Sequence, residues 1–103
     1  MALLKKFIKN KQSCKVTFSL PREAAENAQQ VDLLGDFNDW QAGADPMRKT
    51  KDGGFTISIE LASGRDYQFR YLLDRQIWIN DWEADRYEFS PIGNCENSVV
   101  SLT

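Results

Sequence analysis

Histidine is absent from all 103 residues, and this removes a Ser/His/Asp or Cys/His nucleophile, a histidine metal site and any imidazole proton step. Cysteine is scarce. Cys14 and Cys95 lie 81 positions apart, too few for a disulfide scaffold or a four-cysteine zinc site, so free thiols in a reducing compartment are expected. No window approaches the ~18 consecutive apolar residues of a membrane-spanning helix. Ala2, Leu3, Leu4, Phe7 and Ile8 are interrupted by Lys5 and Lys6, so they lack the unbroken apolar core of a signal peptide, and the chain reads as soluble and cytoplasmic. No internal repeat and no low-complexity tract is present. A basic surface is missing too: the first 22 residues carry +6, the remainder −8, and so acidic a body argues against nucleic-acid binding.

What is present is alternation. Val16, Phe18 and Leu20 alternate with Lys15, Thr17 and Ser19 until Pro21 ends the strand. Residues 22–30 are rich in alanine and glutamate and predict at most a turn of helix in a surface connection. A second strand is expected at 31–34, followed by a polar loop to Asp45 in which Phe37 and Trp40 stand out. The turn signal Asp52-Gly53-Gly54 precedes the cleanest strand, with Phe55, Ile57, Ile59 and Leu61 on one face. Tyr67, Phe69, Tyr71 and Leu73 repeat the pattern, Asp74-Arg75-Gln76 turns the chain, and 77–79 makes a short strand. Residues 80–97 read as irregular and 98–102 as a closing strand. Six or seven short strands separated by turn residues predict an all-β fold, an antiparallel β-sandwich with one hydrophobic core.

Parity then exposes particular side chains. If Ile77 and Ile79 face the core, Trp78 points outward, and leaving an indole in water forgoes roughly 2 kcal/mol of burial. Arg70 falls on the outer face between Phe69 and Tyr71. Trp40 and Trp82 lie in loops. Exposed tryptophan beside arginine and asparagine suits a sugar, whose C–H face covers the ring while polar side chains bond its hydroxyls. Loop tryptophans that cap the end of a sandwich are the competing structural reading.

Five ordered motifs carry a resemblance over residues 15–102. They are Val31-Asp32-Leu33-Leu34-Gly35-Asp36-Phe37-Asn38-Asp39-Trp40; Pro46-Met47; Gly54-Phe55; Tyr67-Gln68-Phe69-Arg70-Tyr71-Leu72-Leu73-Asp74 with Trp78; and Glu96-Asn97-Ser98-Val99-Val100. The chain resembles carbohydrate-binding module family 48, which includes the isoamylase N-terminal early-set domain and the glycogen-binding domain of the AMP-activated protein kinase β subunit. The resemblance implies an immunoglobulin-like early-set sandwich that binds α-1,4-linked glucans such as glycogen or starch, with Trp40 and Trp78 stacking on sugar, Arg70 bonding a hydroxyl, and Asn97 near the last strand completing the site. Arg75 departs from the pattern by standing where the family usually has glycine. Ile77 reads as an insertion that displaces Trp78, and the loop around Gly93 and Cys95 does not match.

Residues 1–14 lie outside the resemblance. Leu3, Leu4, Phe7 and Ile8 fall at helical spacing, which predicts a short N-terminal helix or basic arm ahead of a sandwich at 15–103. The expected function is noncatalytic binding of an α-glucan polymer or oligosaccharide, with no cofactor and no metal, and with a carbohydrate-active enzyme or another protein as the further partner to look for. The alternative is an immunoglobulin-like protein-interaction module that has lost sugar binding. A small glycosidase needs two carboxylates across a cleft. Asp36, Asp39, Asp81 and Glu83 offer carboxylates, but no pair is brought together by the sequence.

Overall fold

The computed structural model describes residues 2–9, 11–90 and 95–103. In chain order the elements are β1 (Ala2–Phe7), β2 (Ser13–Leu20), α1 (Arg22–Ala25), β3 (Val31–Gly35), β4 (Arg48–Lys49), β5 (Phe55–Ala62), β6 (Asp66–Leu73), β7 (Ile77–Ile79), β8 (Arg86–Ser90) and β9 (Cys95–Ser101), with a 3₁₀ turn at Asp36–Asn38. Two antiparallel sheets result, one ordered β1-β2-β5-β4 and the other β3-β6-β9-β8, with β7 also paired to β6. This is the all-β sandwich that the alternation predicts. Cys14, Val16, Phe18 and Leu20 of β2 are buried against Tyr67, Phe69, Tyr71 and Leu73 of β6. Phe69 anchors an aromatic file, edge-on to Phe18 at 5.1 Å and to Tyr71 at 5.7 Å.

The N-terminal helix is not formed. Ala2–Phe7 make a strand instead, paired in register from Ala2↔Ser19 to Phe7↔Cys14, so these residues belong to the first sheet rather than to an arm ahead of it. The reason lies in what a strand offers that an isolated helix cannot. A helix of two turns is marginal in water, whereas the strand satisfies the free edge of β2 and turns Leu3 onto the core beside Phe18. Leu4 then points the other way and stays 63% exposed. Strand and helix make opposite demands on this pair, because Leu3 and Leu4 share one face of a helix but lie on opposite faces of a strand. We expect Leu3→Ala to lower stability by about 1–2 kcal/mol and Leu4→Ala by less than about 0.5 kcal/mol. Urea denaturation of the two variants checks this, and equal losses would contradict the pairing.

Three further sequence readings change. Residues 80–97, read as irregular, contain β8, whose Tyr87 and Phe89 remain 41% and 61% exposed because this edge strand lacks a covering neighbour on that side. The single turn α1 is not merely a surface connection, since Ala24, Ala25 and Ala28 pack into the core. Ile79 packs against the core as parity requires, but Ile77 at the strand's end is 50% exposed.

β6 positions everything that follows. Its first half pairs with β9, from Asp66↔Ser101 to Phe69↔Ser98, and its second half with β7, from Tyr71↔Ile79 to Leu73↔Ile77. β7 and β9 thus lie end to end along one edge of β6, and β3 runs along the other.

Candidate functional site

The outer face of the second sheet collects the candidate residues. Cross-strand partners share a face, so the pairs Leu34↔Arg70, Asp32↔Leu72 and Leu72↔Trp78 place all five side chains on the side away from the core. Leu34 and Leu72 are only 2% and 6% exposed although they point outward, which makes them an apolar floor in register with Arg70 and Trp78. Trp78 itself is 41% exposed. The parity argument for its outward direction therefore holds, and the extra residue Ile77 does not turn it inward.

The second ring arrives from the loop after β3, and the local sequence explains how. A Cβ on Gly35 would stand 2.6 Å from the Gln68 carbonyl oxygen, so only glycine lets the chain cross β6 here. Phe37 then turns inward, 5.9 Å from Phe18 and 6.1 Å from Tyr67, pinning the loop to the core. Asn38 stitches it: its side-chain oxygen accepts from the Gly35 amide at 3.0 Å, while its amide group donates to the Leu33 carbonyl at 2.9 Å and to Asp45 at 2.8 Å. Asp39 and Trp40 follow in left-handed backbone, φ 55° and 57°, which throws the indole outward. Asp36 orients it. One carboxylate oxygen accepts the indole N–H at 3.1 Å, and the other accepts the Gln68 amide at 2.8 Å.

Trp40 and Trp78 meet with ring centroids 6.5 Å apart at an interplanar angle of 53°. They form a shallow V rather than the coplanar pair that two stacked sugars in a straight chain would want. The Arg70 guanidinium lies over the Trp78 ring, 4.5 Å from its centroid, in cation–π geometry. Three of the four residues expected from sequence are thus gathered in one cluster.

Asn97, the fourth, is 6% exposed and not a surface side chain. One register step beyond Phe69↔Ser98 sets it alongside Arg70, on the same face. It donates to the Gln68 side-chain oxygen at 2.9 Å, Gln68 donates to Glu88 at 2.8 Å, and Glu88 pairs with Arg86 at 2.7 Å. Glu88 and then Asp66 hold the Arg86 guanidinium still more firmly protonated than usual. The Arg70 Nε and the Asn97 Oδ1 are buried atoms without a hydrogen-bond partner in the structure. One donor and one acceptor are therefore left at the foot of the rings, and such groups are costly to leave unmatched.

Sequence reasoning missed Asp36 and Gln68. Asp36 was noticed only as a carboxylate, and its role as a bracket for Trp40 depends on a fold in which residues 36 and 68 meet; Gln68 shared Arg70's parity and could have been named on that signal. Of the other acids considered, Asp81 is fully buried and accepts the Tyr71 hydroxyl at 2.7 Å. Among the described residues no group of three or more cysteine, aspartate or glutamate side chains is placed to hold a metal ion. No described helix is long and apolar enough to cross a membrane. Both cysteines are free, Cys14 in the core and Cys95 half-buried, and residues 91–94 of the loop expected to clamp a ligand lie outside the described residues. A concavity of about 650 Å³ lined by Leu20, Pro21, Thr50 and Phe55 lies on the other sheet, away from the rings.

The family model described as carbohydrate-binding module 48, isoamylase N-terminal domain, matches residues 10–99. No curated protein matches the chain.

Proposed function

Because the chain belongs to the carbohydrate-binding module 48 family, whose members are binding modules with an immunoglobulin-like fold, we propose that it binds α-1,4-linked glucan without catalysis, on the V formed by Trp40 and Trp78. The observation that carries this reading is the meeting of two half-exposed indoles at 53°, with Arg70 against one of them and unmatched polar atoms of Arg70 and Asn97 beside them. Each part has a task. The ring faces take the apolar C–H surface of successive glucose units, and their inclination suits a chain that bends at every α-1,4 linkage. Arg70 supplies N–H donors to sugar hydroxyl oxygens and Asn97 an acceptor, while the apolar floor of Leu34 and Leu72 keeps the rings upright.

Magnitudes limit the affinity. Two ring faces covering ~100 Å² of sugar each give about 5 kcal/mol gross at 25 cal/mol per Å². Loss of translational and rotational freedom consumes much of this, so the dissociation constant for a single chain is about 10 µM to 1 mM. Retardation in a native gel containing glycogen, followed by calorimetric titration with maltoheptaose, tests the reading. Absence of both retardation and heat at millimolar sugar refutes it.

One observation favours a second reading, a protein-interaction module. Edge strand β8 presents Tyr87 and Phe89, 41% and 61% exposed, and Trp82 nearby in the chain is 63% exposed. By register Tyr87 shares the face of Ser98 and Phe69, and Phe89 lies two residues on along the same face, opposite to that of Trp78. Failure of the glucan experiment directs the search to this edge.

A further inference from the structure

The turn between β6 and β7 carries arginine where the family pattern has glycine, and its backbone makes the exchange conspicuous. Asp74 and Arg75 are both left-handed, φ 49° and 57°, a region that side chains other than glycine's rarely occupy. The turn is nonetheless firmly held. The Gln76 amide donates to the Leu73 carbonyl at 2.9 Å, and Asp74 accepts from the amides of Gln29 and Gln30 at 2.8 and 3.0 Å.

From this position the Arg75 side chain reaches across β3. Its Nε lies 3.4 Å from the Oδ2 of Asp32, whose side chain is only 4% exposed. Its Nη2 comes so close to Gly43 that a Cβ there would stand 3.1 Å away. Both neighbours matter for the rings. Asp32 belongs to the cross-strand row that runs through Leu72 to Trp78. Gly43 sits in the turn directly after Trp40, where the Ala44 amide donates to the Gln41 carbonyl at 3.3 Å. One guanidinium thereby connects the hairpin that carries Trp78 with the loop that carries Trp40. The first part of that loop is held by Asp36 and Asn38, and its return by the Leu33 amide donating to the Asp45 carbonyl at 3.0 Å. Arg75 braces the stretch between.

Resting on the glucan reading above, we infer that Arg75 is a positioning residue: it fixes the angle between the Trp40 and Trp78 rings and so matches the site to a bent glucan chain. The chemistry favours arginine for this work. Asp32 is a buried carboxylate whose Oδ2 makes no hydrogen bond, so its charge is met by the ion pair with Arg75 at 3.4 Å, whose side chain is 56% exposed, and a planar guanidinium can address Asp32 with one edge while lying along Gly43 with another. Gly43, at φ 87°, leaves the room.

The test compares wild type, Arg75→Gly and Arg75→Lys in two readouts, maltoheptaose titration and the exciton couplet of the two indoles in far-ultraviolet circular dichroism. Arg75→Gly removes the left-handed strain along with the guanidinium, so a stability change alone is no evidence either way. The expected result is a loss of affinity of about three- to tenfold, from rings that must be ordered on binding, with a diminished couplet and an intermediate position for Arg75→Lys. An affinity and a couplet both unchanged in folded Arg75→Gly overturn the inference. If stranding Asp32 prevents folding, the Asp32→Asn/Arg75→Gly double variant replaces it under the same criteria. If wild type binds no glucan, the glucan reading fails separately, and the couplet alone decides whether Arg75 orients the rings.

Discussion

Trp78→Ala is expected to abolish retardation by glycogen and to weaken maltoheptaose binding by about 30-fold or more, while the protein stays folded. The size follows from one ring face: ~100 Å² of sugar at 25 cal/mol per Å² is about 2.5 kcal/mol, and a factor of ten corresponds to about 1.4 kcal/mol. The fold survives because the indole lies outside the inter-sheet core, and its neighbours Leu72, Trp40 and Arg70 lie outside that core as well. Trp82→Ala is the control, since it removes an indole of 63% exposure that takes no part in the V. Retention of binding by a folded Trp78→Ala chain would remove the stacking platform from the account.

The second large effect concerns stability. Asp81→Ala is expected to cost about 2–4 kcal/mol, because truncation strands two donors at once, the buried Tyr71 hydroxyl at 2.7 Å and the Glu83 amide at 2.7 Å. For a domain of this size that lowers the melting temperature by roughly 15 °C. The Asp81 amide also donates to the Ser98 hydroxyl at 2.9 Å, and that hydroxyl donates to Asn80 at 2.8 Å, so the segment leaving β7 is fastened to β9. A pH arm separates the tyrosine from the aspartate. Burial first, then the charge and hydrogen bond of Asp81, push the Tyr71 phenol well above its ordinary range. The folded chain therefore holds this proton more tightly than the unfolded chain. Its contribution is complete below about pH 10, where the unfolded phenol titrates, and declines as pH rises beyond it. Thermal melts of wild type should fall more steeply above pH 10 than those of Tyr71→Phe. Parallel slopes would mean that Tyr71 does not carry the alkaline loss.

Most of the sandwich was legible because burial enforces alternation: β2, β5 and β6 each bury every second residue for several residues, and nothing else makes that pattern. Within the candidate site, the outward direction of Arg70 and Trp78 is legible for the same reason in reverse, since Arg70 falls between the core residues Phe69 and Tyr71 and Trp78 precedes Ile79. The misreadings share a physical cause. β1 reads as a helix because Leu3, Leu4, Phe7 and Ile8 fit the helical period and not the alternation of a strand, and only the edge offered by β2, a tertiary fact, overrides that pattern. β8 escapes the sequence reading although Arg86-Tyr87-Glu88-Phe89-Ser90 alternates, because this short run is embedded in the polar stretch 80–97, and as an edge strand it leaves Tyr87 and Phe89 wet. Parity puts Ile77 in the core because it treats a strand's first residue like its middle. The roles of Asp36 and Arg75 around the rings are not legible, because each rests on a contact more than thirty residues away in the chain, Asp36 with Gln68 and Arg75 with Asp32.

β6 has a property that bears on how the site behaves between binding events. It is hydrogen-bonded to β3, β9 and β7, and near its C-terminal end it is buried on both sides, with Tyr71 and Leu73 inward and Leu72 beneath the rings. Such a strand offers no cheap local opening of its amides, so its backbone protons are expected to exchange with solvent only on unfolding of the whole domain, which hydrogen exchange would check. The proposed platform consequently stands on the strand expected to exchange slowest, and a glucan bound there as proposed would meet the same surface on each return.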